Sequence, residues 1–135
     1  HDGLWQTAME TADSLEARLA VEHCVHEARG LDVLPQTIRK FRRNGDEESA
    51  KLLEDVIYPE EVKHCAAGLR WFKYLHARDG VRTGDQEDVR DGEELETSSV
   101  VQAFHAVVRK HFAGSLQPPF YVDARILSFF YPVWY

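Results

Sequence analysis

The sequence predicts an all-α fold that forms a single domain. Apolar residues recur at steps of three and four along two long segments and one shorter segment, which is the period of an α-helix. Capping residues precede these segments, and glycine or proline interrupts or follows them. The 135 residues and 44% hydrophobic content suit one globular core. We therefore expect helices packed around one core.

The first long helix is predicted to begin at the cap Asp2 and to run unbroken to Gly30. Its inward stripe turns polar near the end and passes through Ala8, Ala12, Leu15, Leu19, His23 and then His26 or Glu27. Gly30 predicts a left-handed helix stop, and Pro35 suits the first turn of a new helix. A short helix is expected at about 35–43.

The second long helix is predicted to begin at Asp46 and to end near Arg78, because Asp46 is a good cap and two acidic residues follow it. Its stripe is also interrupted by polar residues and passes through Ala50, Leu53, Ile57, Glu61, His64, Gly68, Trp71 and Leu75. Pro59 lies inside this helix, where it lacks a backbone donor, so we expect a kink just before Glu61.

The last third of the chain divides into an acidic segment and a helix with an aromatic tail. Residues 79–97 contain many acids and almost no large apolar residues, which predicts a mobile loop. Residues 98–135 resume the helical pattern up to Gly114 and end in aromatic residues that are expected to pack onto the body. Residues 1–78 would then carry the functional helices.

Charge and composition exclude several functional classes. The formal charge of −7 repels phosphate backbones and anionic lipids, so nucleic acid is a poor candidate partner. The apolar runs are too short to cross a bilayer, so no membrane partner is expected. Two cysteines, Cys24 and Cys65, provide no disulfide framework. We expect a soluble intracellular protein, whose compartment is not readable, and a chain that is processed or truncated or is one part of a longer chain, because it begins with His1 rather than Met.

A metal site is predicted from polar residues on the two inward stripes. Glu61 and His64 are three residues apart on a helix, so both side chains can reach one ion. Two-metal helical bundles take one Glu from each of two helices and a Glu-x-x-His pair from each of two others. This chain offers one of each, with Glu27 as the single carboxylate. Counted along the helices, Glu27 and Glu61 reach about the same level, provided that the short helix at 35–43 continues in the same direction.

Other readings of these residues remain open. A Glu-x-x-His pair also occurs by chance on solvated helices, and its position on an apolar stripe is what favours metal. His23 could be a ligand, a hydrogen-bond partner of a ligand or a buried core histidine. Zinc is disfavoured because Cys24 and Cys65 each point away from the histidine that precedes them.

Several stretches together resemble an uncharacterised ferritin-like family, known chiefly as a domain of unknown function. They cover nearly the whole chain outside the acidic segment and comprise residues 3–20, 26–32 (HEARGLD), 60–64 (EEVKH), 68–72 (GLRWF), 111–114 (HFAG), 118–120 (PPF) and 124–125 (AR). The resemblance implies metal-ligand roles for Glu27, Glu61 and His64. It also implies supporting roles for Arg29 and Asp32, and two upstream helices with a further Glu and Glu-x-x-His. Pro59 and the length of the acidic segment depart from the family pattern.

The leading functional hypothesis is a ferritin-like half of a four-helix bundle that binds two metal ions, iron or alternatively manganese. Such centres usually activate dioxygen, so a di-iron oxidoreductase or hydroxylase is expected, with an unknown substrate. The missing N-terminal half of the bundle, an oligomer or a larger assembly would be the partner. The alternative is a metal-silent helical scaffold that acts as an interaction subunit, because an incomplete bundle must cover its apolar face. A tRNA-modifying hydroxylase is a third option that the acidic charge does not support.

Overall fold

The computed structural model describes residues 3–83 and 99–135, and every regular element in these two ranges is helical. The all-α prediction is therefore confirmed. The elements are α1 (Gly3–Glu10), α2 (Leu15–Arg18), the π-helical segment π1 (Leu19–His26), α3 (Glu27–Arg43), α4 (Glu47–Leu52), the π-helical segment π2 (Leu53–Ile57), α5 (Tyr58–Thr83), α6 (Ser99–His111), α7 (Val122–Leu127) and a 3₁₀ turn (Pro132–Trp134).

Helix A is the continuous helix of residues 15–43 formed by α2, π1 and α3, and it begins later than predicted. The hydroxyl of Ser14 accepts a hydrogen bond from the amide of Ala17 at 3.1 Å and so caps the helix. Thr11 bonds back to the carbonyl of Thr7 at 2.8 Å and accepts from Arg18 at 2.9 Å. These local polar bonds compete with the helical backbone pattern, so the expectation of one helix from Asp2 was wrong.

Helix A also continues through Gly30 and Pro35, where the sequence predicted a stop and a new start. Gly30 is not a helix terminus because its missing side chain makes room for another residue: a Cβ there would lie 3.3 Å from Oε2 of Glu61. Leu31 and Ile38, on either side of Pro35, are both buried on the core side. Burial of this shared face stabilises the helix across the proline.

Helix B is the continuous helix of residues 47–83 formed by α4, π2 and α5, and it lies antiparallel to helix A. Asp46 caps it by accepting from the amide of Ser49 at 3.0 Å, as predicted. Helix B carries the π-helical segment π2, which ends two residues before Pro59, and the kink expected just before Glu61 stays a prediction. Helix B extends to Thr83, past the predicted end at Arg78. The rest of the predicted acidic loop lies outside the described residues.

The core is formed where α6 and the C-terminal segment pack against the two long helices. Phe104 of α6 makes edge-to-face contacts with Phe72 of helix B at 5.3 Å, with Phe130 at 5.8 Å and with Trp134 at 5.3 Å. All four rings are buried, which confirms that the aromatic tail packs onto the body.

The two long helices pack tightly at Gly68 and His23, about one helical turn from His64 and Glu27 respectively. A Cβ on Gly68 would lie 2.5 Å from Cβ of His23 and 3.1 Å from its carbonyl carbon and oxygen. Only glycine permits this separation. Across the described ranges, no helix combines the length and the apolar character that crossing a membrane requires.

Candidate metal centre

Each long helix carries a π-helical segment shortly before a residue that was predicted to bind metal. π1 ends at His26 and Glu27 follows it, while π2 ends at Ile57, four residues before Glu61. A π-helical turn holds more residues than an α-helical turn, so it changes the direction in which later side chains point, and such turns occur often at functional sites. The distortions therefore help to aim both carboxylates between the helices.

The three predicted ligands lie together. Each of Glu27, Glu61 and His64 offers one ligand atom, and these atoms all lie within 4.8 Å of one another. Nδ1 of His64 is 3.7 Å from Oε2 of Glu27. The residues meet at one level because helix A continues in one direction from Glu27 to Arg43, which was the condition of the sequence estimate.

The electrostatics of the cluster favour a positive charge. Burial, a hydrogen bond that protonated Glu61 donates to Glu27, and the repulsion of the Glu27 carboxylate raise the pKa of Glu61 to about 7, and the imidazole of His64 opposes this rise. The carboxylate of Glu27 therefore disfavours the ionised form of Glu61. A bound cation would relieve this repulsion because it attracts both carboxylates.

The cluster opens toward the surface of the described part of the chain. The side chain of Glu27 is 27% exposed and that of His64 is 50% exposed. Nε2 of His64 lies 3.9 Å from Oε2 of Glu60, which is itself bound to Lys63 at 2.8 Å. Glu60 was not predicted to belong to the site, although its spacing of four residues from His64 places both on one helix face.

The three residues expected to support the ligands lie on helix A near Glu27. His23 is exposed, so its reading as a buried core histidine is wrong, and its backbone and Cβ pack against Gly68. Arg29 donates to the carbonyl of Gln117 at 3.0 Å and lies 3.6 Å from Asp32. Asp32 is buried against Arg125. Arg29 and Asp32 both contact the C-terminal segment, and the supporting role of the three residues stays a prediction.

The two cysteines are free and buried beside the cluster. Burial raises the pKa of Cys24 well above its usual range and raises the pKa of Cys65 to about 11. A thiol binds zinc as thiolate, so burial works against a zinc site here. Two carboxylates and one imidazole are instead a donor set that suits iron or manganese, and they make half of the set found in two-metal bundles.

The fold and the cluster define an all-α protein with a carboxylate and histidine site between two antiparallel helices. The chain matches, over residues 1–135, the model of the family described as protein of unknown function DUF455, and it belongs to that family.

One curated relative is an uncharacterized protein of Haemophilus influenzae, 35% identical over 81 residues. The match covers 60% of this chain and 28% of the relative, so this chain spans well under two thirds of the relative's length. No solved structure matches the chain.

Proposed function

We propose that this chain supplies half of a ferritin-like centre for two metal ions, iron or manganese. The observation that carries the proposal is the convergence of Glu27, Glu61 and His64 within 4.8 Å at the junction of two helices. None of these three side chains is paired with an arginine or a lysine in the described ranges, although Glu60, Glu54 and Asp32 nearby all are. The imidazole of His64, 3.7 Å from Glu27, is then the basic group beside the two carboxylates, and paired carboxylates are costly unless a cation joins them.

The donor set indicates how the roles are divided. Glu27 contacts both Glu61 and His64, so these three side chains would hold the metal ions together, with Glu27 as the shared carboxylate. Glu60 would orient the imidazole of His64 through its other nitrogen. Bound iron or manganese would supply redox chemistry with dioxygen, which makes oxidation or hydroxylation of a substrate the proposed activity.

The remaining ligands would come from a second pair of helices, either in another part of a longer chain or in a partner. Three ligands fall short of the six that such centres use, and His64 is half exposed on the open side of the cluster. Trp71 and Tyr74 lie further along helix B and are 52% and 55% exposed, with their rings edge to face at 5.6 Å. A docked helical pair would cover these aromatic rings and close the site.

Metal titration of the intact protein tests the proposal. We expect Co²⁺, used as a spectroscopic probe, to bind with a visible absorption band, and elemental analysis to find iron or manganese after expression with these metals. Glu61→Gln should reduce the bound metal by at least tenfold because it removes a charged ligand. Glu48→Gln is the matched control, since Glu48 is an exposed carboxylate at the start of helix B.

The same titration distinguishes the metal site from the second candidate function, which is a metal-silent scaffold. The exposed Trp71 and Tyr74 pair favours that alternative because it offers an aromatic contact surface. If the unmodified protein binds no Co²⁺, iron or manganese, the metal proposal is wrong and the scaffold takes its place. Equal metal content in Glu61→Gln and Glu48→Gln would refute the assignment of Glu61 as a ligand.

A further inference from the structure

We infer that the C-terminal segment of residues 120–135, here named the strap, is a positioning element that holds the helix of Glu27 at a set distance from the helix of Glu61 and His64. The inference rests on the proposed function for its consequence, but the contacts that carry it do not involve the ligands themselves. They are a buried ion pair between Asp32 and Arg125 and a cation–π contact between Trp134 of the strap and Lys73 of helix B.

Asp32 is the anchor on helix A. It lies five residues after Glu27, and its side chain is 1% exposed. Nε of Arg125 donates to Oδ1 of Asp32 at 2.9 Å, a second guanidinium nitrogen donates to Oδ2, and the amide of Tyr121 donates to Oδ1 at 2.8 Å. Both carboxylate oxygens of Asp32 are therefore bound by the strap, in the two-pronged geometry that is most restrictive for an arginine and a carboxylate.

Arg125 is itself restrained by contacts with other residues of the strap. Its guanidinium carbon lies 4.1 Å from the ring of Tyr135, 4.8 Å from that of Phe120 and 5.6 Å from that of Phe130. Its carbonyl accepts from the hydroxyl of Ser128 and from the amide of Phe130, each at 2.8 Å. These rings and backbone bonds restrain Arg125, and through the ion pair they link the position of Asp32 to the fold of the strap.

The other end of the strap contacts helix B. The ring of Trp134 lies 5.1 Å from Nζ of Lys73, and α7 of the strap packs against α5. Phe130 and Trp134 also pack on Phe104 of α6, which packs on Phe72 of helix B. One segment thus contacts helix A five residues beyond Glu27 and helix B nine residues beyond His64.

Breaking the ion pair should loosen the site without removing a ligand. Loss of either partner leaves the other charge buried and unpaired, so the strap would detach from helix A. Metal ligands must be held to within about 0.5 Å of their working geometry by the residues that support them. We therefore expect weaker and less uniform metal binding from a change that lies outside the ligand cluster.

Two variants of the intact protein test the inference: Asp32→Asn, which removes the charge, and Arg125→Lys, which keeps a charge but cannot donate two parallel hydrogen bonds. Glu54→Gln is the matched control because it breaks an arginine and carboxylate pair with Arg42 on the surface between the same two helices. We expect at least a tenfold loss of Co²⁺ affinity and a shifted, broadened visible band in both variants, and neither change in the control.

A second measurement needs no metal. Spin labels on Gln36→Cys in helix A and Arg70→Cys in helix B, both exposed positions, report the helix separation by pulsed electron resonance. The native thiols are buried and should react slowly. We expect a sharp distance distribution in the parent and in Glu54→Gln, and a broadened one in Asp32→Asn and Arg125→Lys.

The outcomes separate the two hypotheses. An unchanged distance distribution in a folded Asp32→Asn or Arg125→Lys protein overturns the positioning role, whatever the metal result. A broadened distribution in a protein that binds no Co²⁺ even in its parent form supports the strap and refutes the metal site. If Asp32→Asn loses its helical circular dichroism, the milder Arg125→Lys decides.

Discussion

Replacement of Glu61 by glutamine should stabilise the metal-free protein at alkaline pH and have little effect at acid pH. Glu61 has a pKa raised from 4.5 to about 7, first by burial and then by the neighbouring carboxyl of Glu27. The folded state therefore binds a proton more tightly than the unfolded state. The contribution of this group to stability is complete below about pH 4.5 and is lost as the pH rises through about 7.

The size of this effect follows from the shift. Each pKa unit corresponds to about 1.4 kcal/mol, so a rise from 4.5 to about 7 sets an upper bound of about 3 kcal/mol. The site is open to water on one side, and solvent screening reduces the bound to about 1–2 kcal/mol. Glutamine keeps the shape of the side chain and removes the charge, so it should recover this amount at pH 8.

Urea denaturation with a chelator present, from pH 5 to pH 8, measures the effect. The parent protein should lose stability across this range relative to Glu61→Gln, while Glu48→Gln should follow the parent. Saturating metal should make the parent more stable than Glu61→Gln. A cation at 100 times its dissociation constant stabilises the protein that binds it by about 2.7 kcal/mol, and only the parent keeps the full set of ligands. Identical pH profiles for the parent and Glu61→Gln would refute the reasoning about the carboxyl pair.

Two further changes test the packing. Gly68→Ala should cost about 1–3 kcal/mol in the free energy of unfolding, since the added Cβ would lie 2.5 Å from that of His23, whereas Gly3→Ala, with no atom within 4 Å, should cost nothing measurable. A neutral Gly68→Ala would mean that the helices can separate freely. Phe72→Ala should cost about 3–5 kcal/mol because the ring is fully buried, and Tyr74→Ala, on the exposed side of the same helix, should cost under about 1 kcal/mol by the same urea measurement. Similar losses for the two aromatic residues would contradict the placement of the core.

The cluster of Glu27, Glu61 and His64 was predictable from the sequence. It depends on helix geometry between neighbouring residues and on the chemistry of the individual side chains. The spacing of Glu61 and His64 puts them on one helix face whatever the rest of the chain does. The level of Glu27 could be counted along the helices once their direction was assumed. The π-helical segments before Glu27 and Glu61 were not predicted as such, although Pro59 indicated an irregularity near the second.

The ends of the first helix were predicted poorly because their signals compete with distant contacts. Gly30 has the composition of a helix stop, yet its missing side chain makes room for Glu61 from the other long helix. His23 lies on an apolar stripe but is exposed, since the close approach of Gly68 is made to its backbone and Cβ. A sequence pattern cannot reveal which helix will pack against a given face.

The sequence by itself determined the helical class, the helix cap at Asp46, and the carboxylate and imidazole groups that are available for a site. Helical periodicity and capping depend on neighbouring residues, and the chemistry of a side chain depends on the residue alone. Only the tertiary structure decided that Asp32 would pair with Arg125, ninety-three residues away, and that helix A would run unbroken past Pro35. Those outcomes depend on burial and charge pairing between segments far apart in the chain, where the free energy of packing outweighs local preference.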